Sequence, residues 1–236
     1  MLALHTAPPD SVSSGFHPDR PTMVLLNPRA AGGQAAALAQ PVREWLAAHA
    51  PGVALVESDS IERSRATLQC MPRSSRVVLI GGDGTLHHML PVLLTHRLAL
   101  GVVPLGSGND TARALSIDRL PWEQALELAL NGATRRMDVG ELMTPRLRVP
   151  FISSLAAGFD AAVGKRAIDG PRWLSGQPRY LWATLGELVG LRAHRVRVHA
   201  DGELRHEGAA IFTSVLNTPT YGSGMPAVPG ARVADS

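Results

Sequence analysis

Val77-Val78-Leu79-Ile80-Gly81-Gly82-Asp83-Gly84-Thr85-Leu86 joins an apolar run to a glycine-rich turn and then to the start of a helical pattern. An apolar run without polar alternation marks a strand covered on both faces, as in a parallel sheet flanked by helices. Behind the turn, Leu86, Leu90 and Leu93 recur at helical spacing. Glycine lacks a Cβ and tolerates positive φ, so a strand feeding a helix through glycines brings backbone amides close to an anion. The helix dipole then favours phosphate at its N-terminus by up to about 2 kcal/mol. On glycine content alone, a purely structural turn capped by Asp83 and Thr85 remains the alternative.

Outward from this stretch, short apolar runs alternate with helical segments. Met23-Val24-Leu25-Leu26 reads as a strand that ends at the turn-rich loop Asn27 to Gly33. A helix follows with Leu38, Val42, Leu46 and His49 on one face, then a strand over Val53 to Val56 and a helix over residues 60–70. Leu100 to Val103 repeats the strand signature, and a helix from Trp122 to Leu130 runs into Asn131-Gly132, a suitable C-terminal cap. This alternation predicts an α/β layer. After about residue 135 the pattern changes: Arg195 to His199 alternates, Asp201-Gly202 is a hairpin signal, and Ala210 to Val215 reads as the next strand. The fold class expected is an α/β nucleotide-binding domain followed by a second, mostly antiparallel β domain, interrupted by one helix near residues 173–190. The expected organisation is a disordered leader over 1–21, the α/β domain over 22–134, and an incomplete β-rich domain over 135–236.

Composition narrows the function classes. With 45% hydrophobic residues in 236, the chain can bury a core of one large or two modest domains. All but one of the 23 basic residues are arginine, Lys165 being the exception, and the net charge of +3 is too mild to indicate nucleic acid. A single cysteine, Cys70, excludes an internal disulfide framework and fits a reducing, cytoplasmic setting. The first 21 residues lack the basic start and apolar run of a signal peptide. No stretch approaches the roughly 20 apolar residues needed to span a bilayer, so membrane contact is expected to be peripheral.

A second glycine loop, Gly106-Ser107-Gly108-Asn109-Asp110-Thr111, follows the neighbouring strand. Both loops are expected at the carboxyl edge of the sheet, where such sheets bind ligands. Thr111 occupies the position of the third glycine of a dinucleotide fingerprint, which weakens a Rossmann reading. A Walker-type loop is missing too: Gly158 to Lys165 carries five residues between its glycines, and Arg166 stands where Ser or Thr is required.

In order, Asn27-Pro28 with glycines close behind, Gly81 to Leu86, and Pro104 to Asp110 resemble the catalytic region of diacylglycerol kinases and bacterial lipid kinases. The likeness continues through Met137 to Gly140, Ala156 to Asp160, and Asn217 to Tyr221-Gly222-Ser223-Gly224, covering the chain from about Met23 to its end. NAD kinase and phosphofructokinase share a Gly-Gly-Asp-Gly loop but differ at the second motif, which here favours the lipid branch.

The resemblance implies a two-domain kinase that transfers the γ-phosphate of ATP to a diacylglycerol-like or sphingoid hydroxyl, with Mg²⁺. Carried over by position, Asn27, Gly81, Gly82, Asp83, Gly84, Thr85, Leu86, Ser107, Asn109 and Asp110 would hold the nucleotide. Asp138 matches a further acidic position, and Asp235 resembles a magnesium-holding one. Asp83 is the catalytic candidate, because sphingosine-kinase relatives give the Asp of this motif the base role. Bacterial relatives instead use a Glu in a closing Asp-Gly-Glu segment, which would lie past Ser236, so a truncated second domain and a catalytically incomplete binding protein are also expectations. Asp201-Gly202-Glu203 has the same letters but sits at the hairpin signal. His87-His88 replaces the usual Asn-Glu; as helix neighbours the two point in different directions and read as packing or surface residues. The implied partners are a lipid substrate at a membrane surface and, as candidate assembly, a homodimer. Arg166, Arg172, Arg179, Arg192, Arg195 and Arg197, interleaved with Trp173, Tyr180 and Trp182, are either a basic aromatic face for anionic lipid or a packed helix with solvated arginines.

Overall fold

The computed structural model describes residues 20–106, 108–171, 173–174, 177–200, 202–222 and 224–234. The chain forms two compact units, one of residues up to Ser153 together with Asn217 onward, the other Ser154–Leu216.

In the first unit, β1 (Thr22–Leu26), α1 (Ala39–His49), β2 (Ala54–Glu57), α2 (Ile61–Gln69), β3 (Arg76–Gly81), α3 (Asp83–His96), β4 (Ala99–Pro104), α4 (Asp110–Ala114) and α5 (Trp122–Asn131) follow in order. The strands make one parallel sheet, β2-β1-β3-β4, with Leu79 of β3 beside Leu25 and Val102. Every residue of β3 is buried, as its unbroken apolar run requires. Because strand side chains alternate, Met23, Leu25, Val77 and Leu79 pack against Leu68 of α2 and Leu86, Met89 and Leu93 of α3. Val24, Leu26, Val78 and Ile80 meet Val42 and Leu46 of α1 and Leu126 and Leu130 of α5 on the other side. Each such side chain contributes about 1.5–3 kcal/mol relative to exposure. The doubly covered strand that presents the glycine turn is thereby the most firmly held element of the unit.

Two local details differ from the sequence reading. The segment Ala30–Leu38 is a 3₁₀ stretch broken by left-handed Ala31, Gly32 and Gly33, and regular helix begins only at Ala39. At the end of α5, Gly132 is extended (φ −66) rather than a left-handed cap. Arg76 supplies the cap: its guanidinium donates to the carbonyls of Ala129 (3.0 Å), Leu130 and Gly132 (3.2 Å). Sequence spacing gives no hint of this, since Arg76 stands 53 or more residues away.

The hairpin of β5 (Gly140–Thr144) and β6 (Leu147–Phe151) also belongs to the first unit, with Ile152 in the α3 core. The second unit holds β7 (Ser154–Gly158), α6 (Phe159–Asp169), α7 (Gln177–Leu188), β8 (His194–Ala200), β9 (Glu203–Ala210) and β10 (Phe212–Leu216). Here β8 pairs with β9 and β7 with β10, both antiparallel. The chain then returns to the first unit through the antiparallel pair β11 (Thr220–Tyr221) and β12 (Met225–Pro226). An α/β domain followed by antiparallel β structure is thus present, with two corrections. The one expected helix is two, because α6 buries only Val163 and carries Gly164 in mid-helix, too weak an apolar pattern to read. The single strand expected over Ala210 to Val215 breaks at Ile211, where the chain leaves β8 as partner and takes up β7. Asp201 of the hairpin signal lies outside the described residues, but Gly202 turns with φ +79.

Candidate functional site

The first loop is built on the end of β3. A Cβ at Gly81 would lie 2.8 Å from Thr85 Oγ1, so glycine there leaves room for the threonine to fold back. Thr85 Oγ1 accepts from Asn27 Nδ2 (2.9 Å), and Asn27 Oδ1 accepts from the Arg29 N–H (3.0 Å). The loop after β1 is thereby tied to the loop after β3. Gly82 is the N-cap of α3 and brings no side-chain cap, while the space where Gly84 would carry a Cβ is open. Among the described residues no side chain caps this fourteen-residue helix, whose first N–H groups stand beside an open surface, which is what a phosphate needs. Leu86 is placed differently from its neighbours: its side chain is buried in the core and its N–H is spent on Gly82 O (3.2 Å). It anchors the helix start.

The second loop touches the first, backbone to backbone. Leu105 N–H donates to Gly81 O (2.9 Å), and a Cβ on Gly106 would stand 2.8 Å from Gly82 Cα. Asn109 adopts φ +52 and donates from Nδ2 to Gly106 O (2.8 Å), while its Oδ1 is buried without a partner among the described residues. Ser107 lies outside the described residues.

Asp83 joins the loops. Its Oδ2 accepts from the Asp110 N–H (2.9 Å) and its Oδ1 from the Thr111 N–H (3.2 Å), so its carboxylate caps the start of α4. Asp110 is buried (6% exposed), and its Oδ1 accepts from Arg113 Nη1 (2.9 Å), Thr220 Oγ1 (3.1 Å) and the Gly224 N–H (2.8 Å). Asp83 and Asp110 thus link α3, α4 and the β11–β12 turn. Gly224, at φ +95, lies against the Arg113 guanidinium, where a Cβ would come within 2.9 Å. Arg113 was not legible as a site residue, because it looks like any surface cation, and Thr220, inside the Asn217 to Gly224 stretch, gains its role only from a contact 110 residues apart. The Asn217 to Gly224 stretch was the only signal.

Asp138 accepts from Asn217 Nδ2 through its carbonyl (2.7 Å) and donates from its N–H to Val233 O (2.8 Å). Asp235 lies outside the described residues. Among the described residues no three His, Cys, Asp or Glu side chains gather as a metal cage. The histidine rings of His87 and His88 stand 5.6 Å apart and tilted. Burial, with the nearby His87 and Arg65 charges, pushes the His88 pKa below its ordinary value, so His88 favours the neutral form. The arrangement as a whole offers backbone donors to an anion and a carboxylate-braced scaffold around them.

Known proteins resemble this chain in the same regions. Residues 21–142 match the family model described as diacylglycerol kinase catalytic domain, and residues 153–236 match the YegS C-terminal NAD kinase beta sandwich-like domain. A diacylglycerol kinase of Mycobacterium tuberculosis is 32% identical over 160 residues, 67% of this chain and 52% of that protein. A diacylglycerol kinase of Bacillus subtilis is 30% identical over 151 residues, 62% of this chain and 48% of that protein. The chain spans about half the length of these relatives. The crystal structure of a diacylglycerol kinase from Bacillus anthracis str. Sterne superposes with a TM-score of 0.63 at 20% identity, over 91% of this chain and 70% of that one, a likeness of fold.

Proposed function

This chain belongs to the diacylglycerol kinase catalytic-domain family, and from that premise we propose that it binds ATP on the Gly81–Leu86 loop and transfers the γ-phosphate to a diacylglycerol-like or sphingoid hydroxyl at a membrane surface. The observation that carries the nucleotide half is the uncapped N-terminus of α3, with open space at Gly84. Backbone N–H groups at the start of α3 take phosphate oxygens, aided by the helix dipole.

In the transfer, the lipid hydroxyl oxygen bonds to the γ-phosphorus as the bond to the bridging β–γ oxygen breaks; ADP leaves and the hydroxyl proton passes to a base. Asp83 is the sequence candidate for that base. Its carboxylate oxygens are engaged by the α4 N–H groups, which supports a positioning role in which Asp83 fixes the second loop against the first. Asp110 then fixes that loop to Thr220 and Gly224. Magnesium, when bound with the nucleotide, neutralises charge on the phosphates; the described residues form no cage for it.

The test is incubation of this chain with γ-labelled ATP and, separately, diacylglycerol, sphingosine and NAD. Label in a lipid is the expected result. Label in NAD with none in any lipid would overturn the lipid-kinase reading.

A further inference from the structure

Arginine carries almost all the positive charge of this chain, and much of it is spent in exposed pairs. Arg29 meets Asp59, Arg43 meets Glu57, Arg166 meets Glu187, and Arg195 and Arg197 both meet Glu207. Such pairs contribute little, because water screens them. Of the arginines interleaved with aromatic residues after α6, Arg179 is committed to the carbonyls of Leu174 (2.6 Å) and Pro171 (3.1 Å), and Arg172 lies outside the described residues.

Arg113 is placed differently. Its Nη1 donates to Asp110 Oδ1 (2.9 Å) and its Nε stands 3.6 Å from Asp118 Oδ2, so two carboxylates fix the guanidinium. Gly224 covers the group: a Cβ there would come to 2.9 Å from both Cζ and Nη1, and to 3.2 Å from Nη2. Position 224 combines this close approach with φ +95, and glycine satisfies both. A buried carboxylate such as that of Asp110 requires a paired charge and filled acceptor sites. Arg113 supplies the charge, while Thr220 Oγ1 (3.1 Å) and the Gly224 N–H (2.8 Å) donate to the same oxygen. The Asp110 N–H in turn goes to Asp83 Oδ2 (2.9 Å), and Asp83 opens α3 just before Gly84 and Thr85. One run of charge-assisted bonds thus leads from the β11–β12 turn through Arg113, Asp110 and Asp83 to the start of α3. The planar fork matters here, since a lysine is a point charge that cannot lie flat beneath Gly224 and reach both Asp110 and Asp118.

We infer that Arg113 is a positioning residue of the nucleotide site, acting through Asp110 to couple phosphate at the start of α3 to the fixing of the β11–β12 turn. The inference rests on the reading that ATP phosphate sits on the Gly81–Leu86 loop. Arg113 need not touch the phosphate. ATP steadies Asp83 and with it α4, Asp110 is held in place, and the turn is kept down on the guanidinium. By linkage the coupling also runs in reverse, so that a loosened turn weakens ATP binding.

The experiment is amide hydrogen exchange at Gly224 in the whole chain, without nucleotide, with ATP and with adenosine, together with ATP affinity by calorimetry, for the parent, Arg113→Lys and Asp118→Asn. In the parent, ATP slows Gly224 exchange by about fivefold or more and adenosine does not. In Arg113→Lys the slowing is lost, and ATP affinity falls by a factor of about the same size, as reciprocity demands. Asp118→Asn releases Arg113 on one side without touching Asp110 or either glycine loop, and it loses part of the slowing. It also decides the matter if Arg113→Lys does not fold. A merely structural arginine behaves otherwise: exchange rises by the same factor with and without ATP, the slowing by ATP survives in both variants, and affinity stays at the parent's value. That result would overturn the inference. A parent that binds ATP with its Gly84 and Thr85 amides shifted but Gly224 exchange unchanged would overturn it alone, whereas a parent that does not bind ATP would overturn the nucleotide reading and the inference with it.

Discussion

Replacing Asp83 by alanine separates positioning from proton transfer. The substitution removes the acceptors of two N–H groups, those of Asp110 (2.9 Å) and Thr111 (3.2 Å), in residues only 6% and 3% exposed. Leaving a buried donor unpaired costs about 1–3 kcal/mol, and losing a helix cap costs about 0.5–2 kcal/mol. These are two descriptions of the same bonds, and water can enter the space left by the carboxylate, so the expected loss for Asp83→Ala is about 2 kcal/mol. Asp83→Asn keeps one acceptor but turns an amide N–H₂ toward the other donor, and an intermediate loss of about 1 kcal/mol follows. Because α4 carries Asp110, whose Oδ1 holds Thr220 and Gly224, the β11–β12 turn loosens with it. Urea denaturation followed by circular dichroism reads the stability change, and hydrogen exchange at the Gly224 amide reads the coupling. Both variants unfolding at the parent's urea midpoint, with Gly224 exchange unaltered, would refute the positioning role; lost turnover on top of unchanged stability would return Asp83 to the role of base.

Gly106→Ala and Gly84→Ala should act in opposite ways. The first drives a Cβ to 2.8 Å from Gly82 Cα and costs about 1–3 kcal/mol, whereas the second meets open space. Gly84→Ala therefore leaves the thermal midpoint unchanged or raised while weakening ATP binding in calorimetry. Arg76→Met strips the Ala129, Leu130 and Gly132 carbonyls at the end of α5 of their donor and costs about 2–4 kcal/mol in urea denaturation. His88 has a folded pKa held below its ordinary 6.5, so as pH falls below that value the unfolded chain takes up its proton first. The stability His88 contributes is present above pH 6.5 and lost as pH falls through the folded pKa, and His88→Gln should flatten the acid side of the Tm–pH curve.

The sheet was readable because its signals are local. Val77 to Ile80 declares a doubly covered strand by residue type alone, and Leu86, Leu90 and Leu93 declare the helix behind it by spacing. The two glycine loops were readable for the same reason, since glycine marks where backbones approach. What holds the loops together was hidden. Asp83 looks like a free acid in the sequence and becomes a cap only when α4 is brought against it. Arg76 and Thr220 gain their roles from contacts 53 and 110 residues away, which no window along the chain contains. Helix α6 was missed because one buried residue makes no periodicity. The leucines of α7 left two readings open in the sequence, and only the packing of Ala183, fully buried, and of Gly186, against the Arg166 guanidinium, shows that Leu181, Leu185 and Leu188 face water.

The central claim, that nucleotide phosphate sits on the uncapped start of α3, is tested most directly by amide chemical shifts in a ¹⁵N-labelled sample titrated with ATP and, separately, adenosine. The account predicts that the Asp83, Gly84 and Thr85 amides move with ATP and far less with adenosine. ATP binding that leaves these three amides unmoved would contradict it.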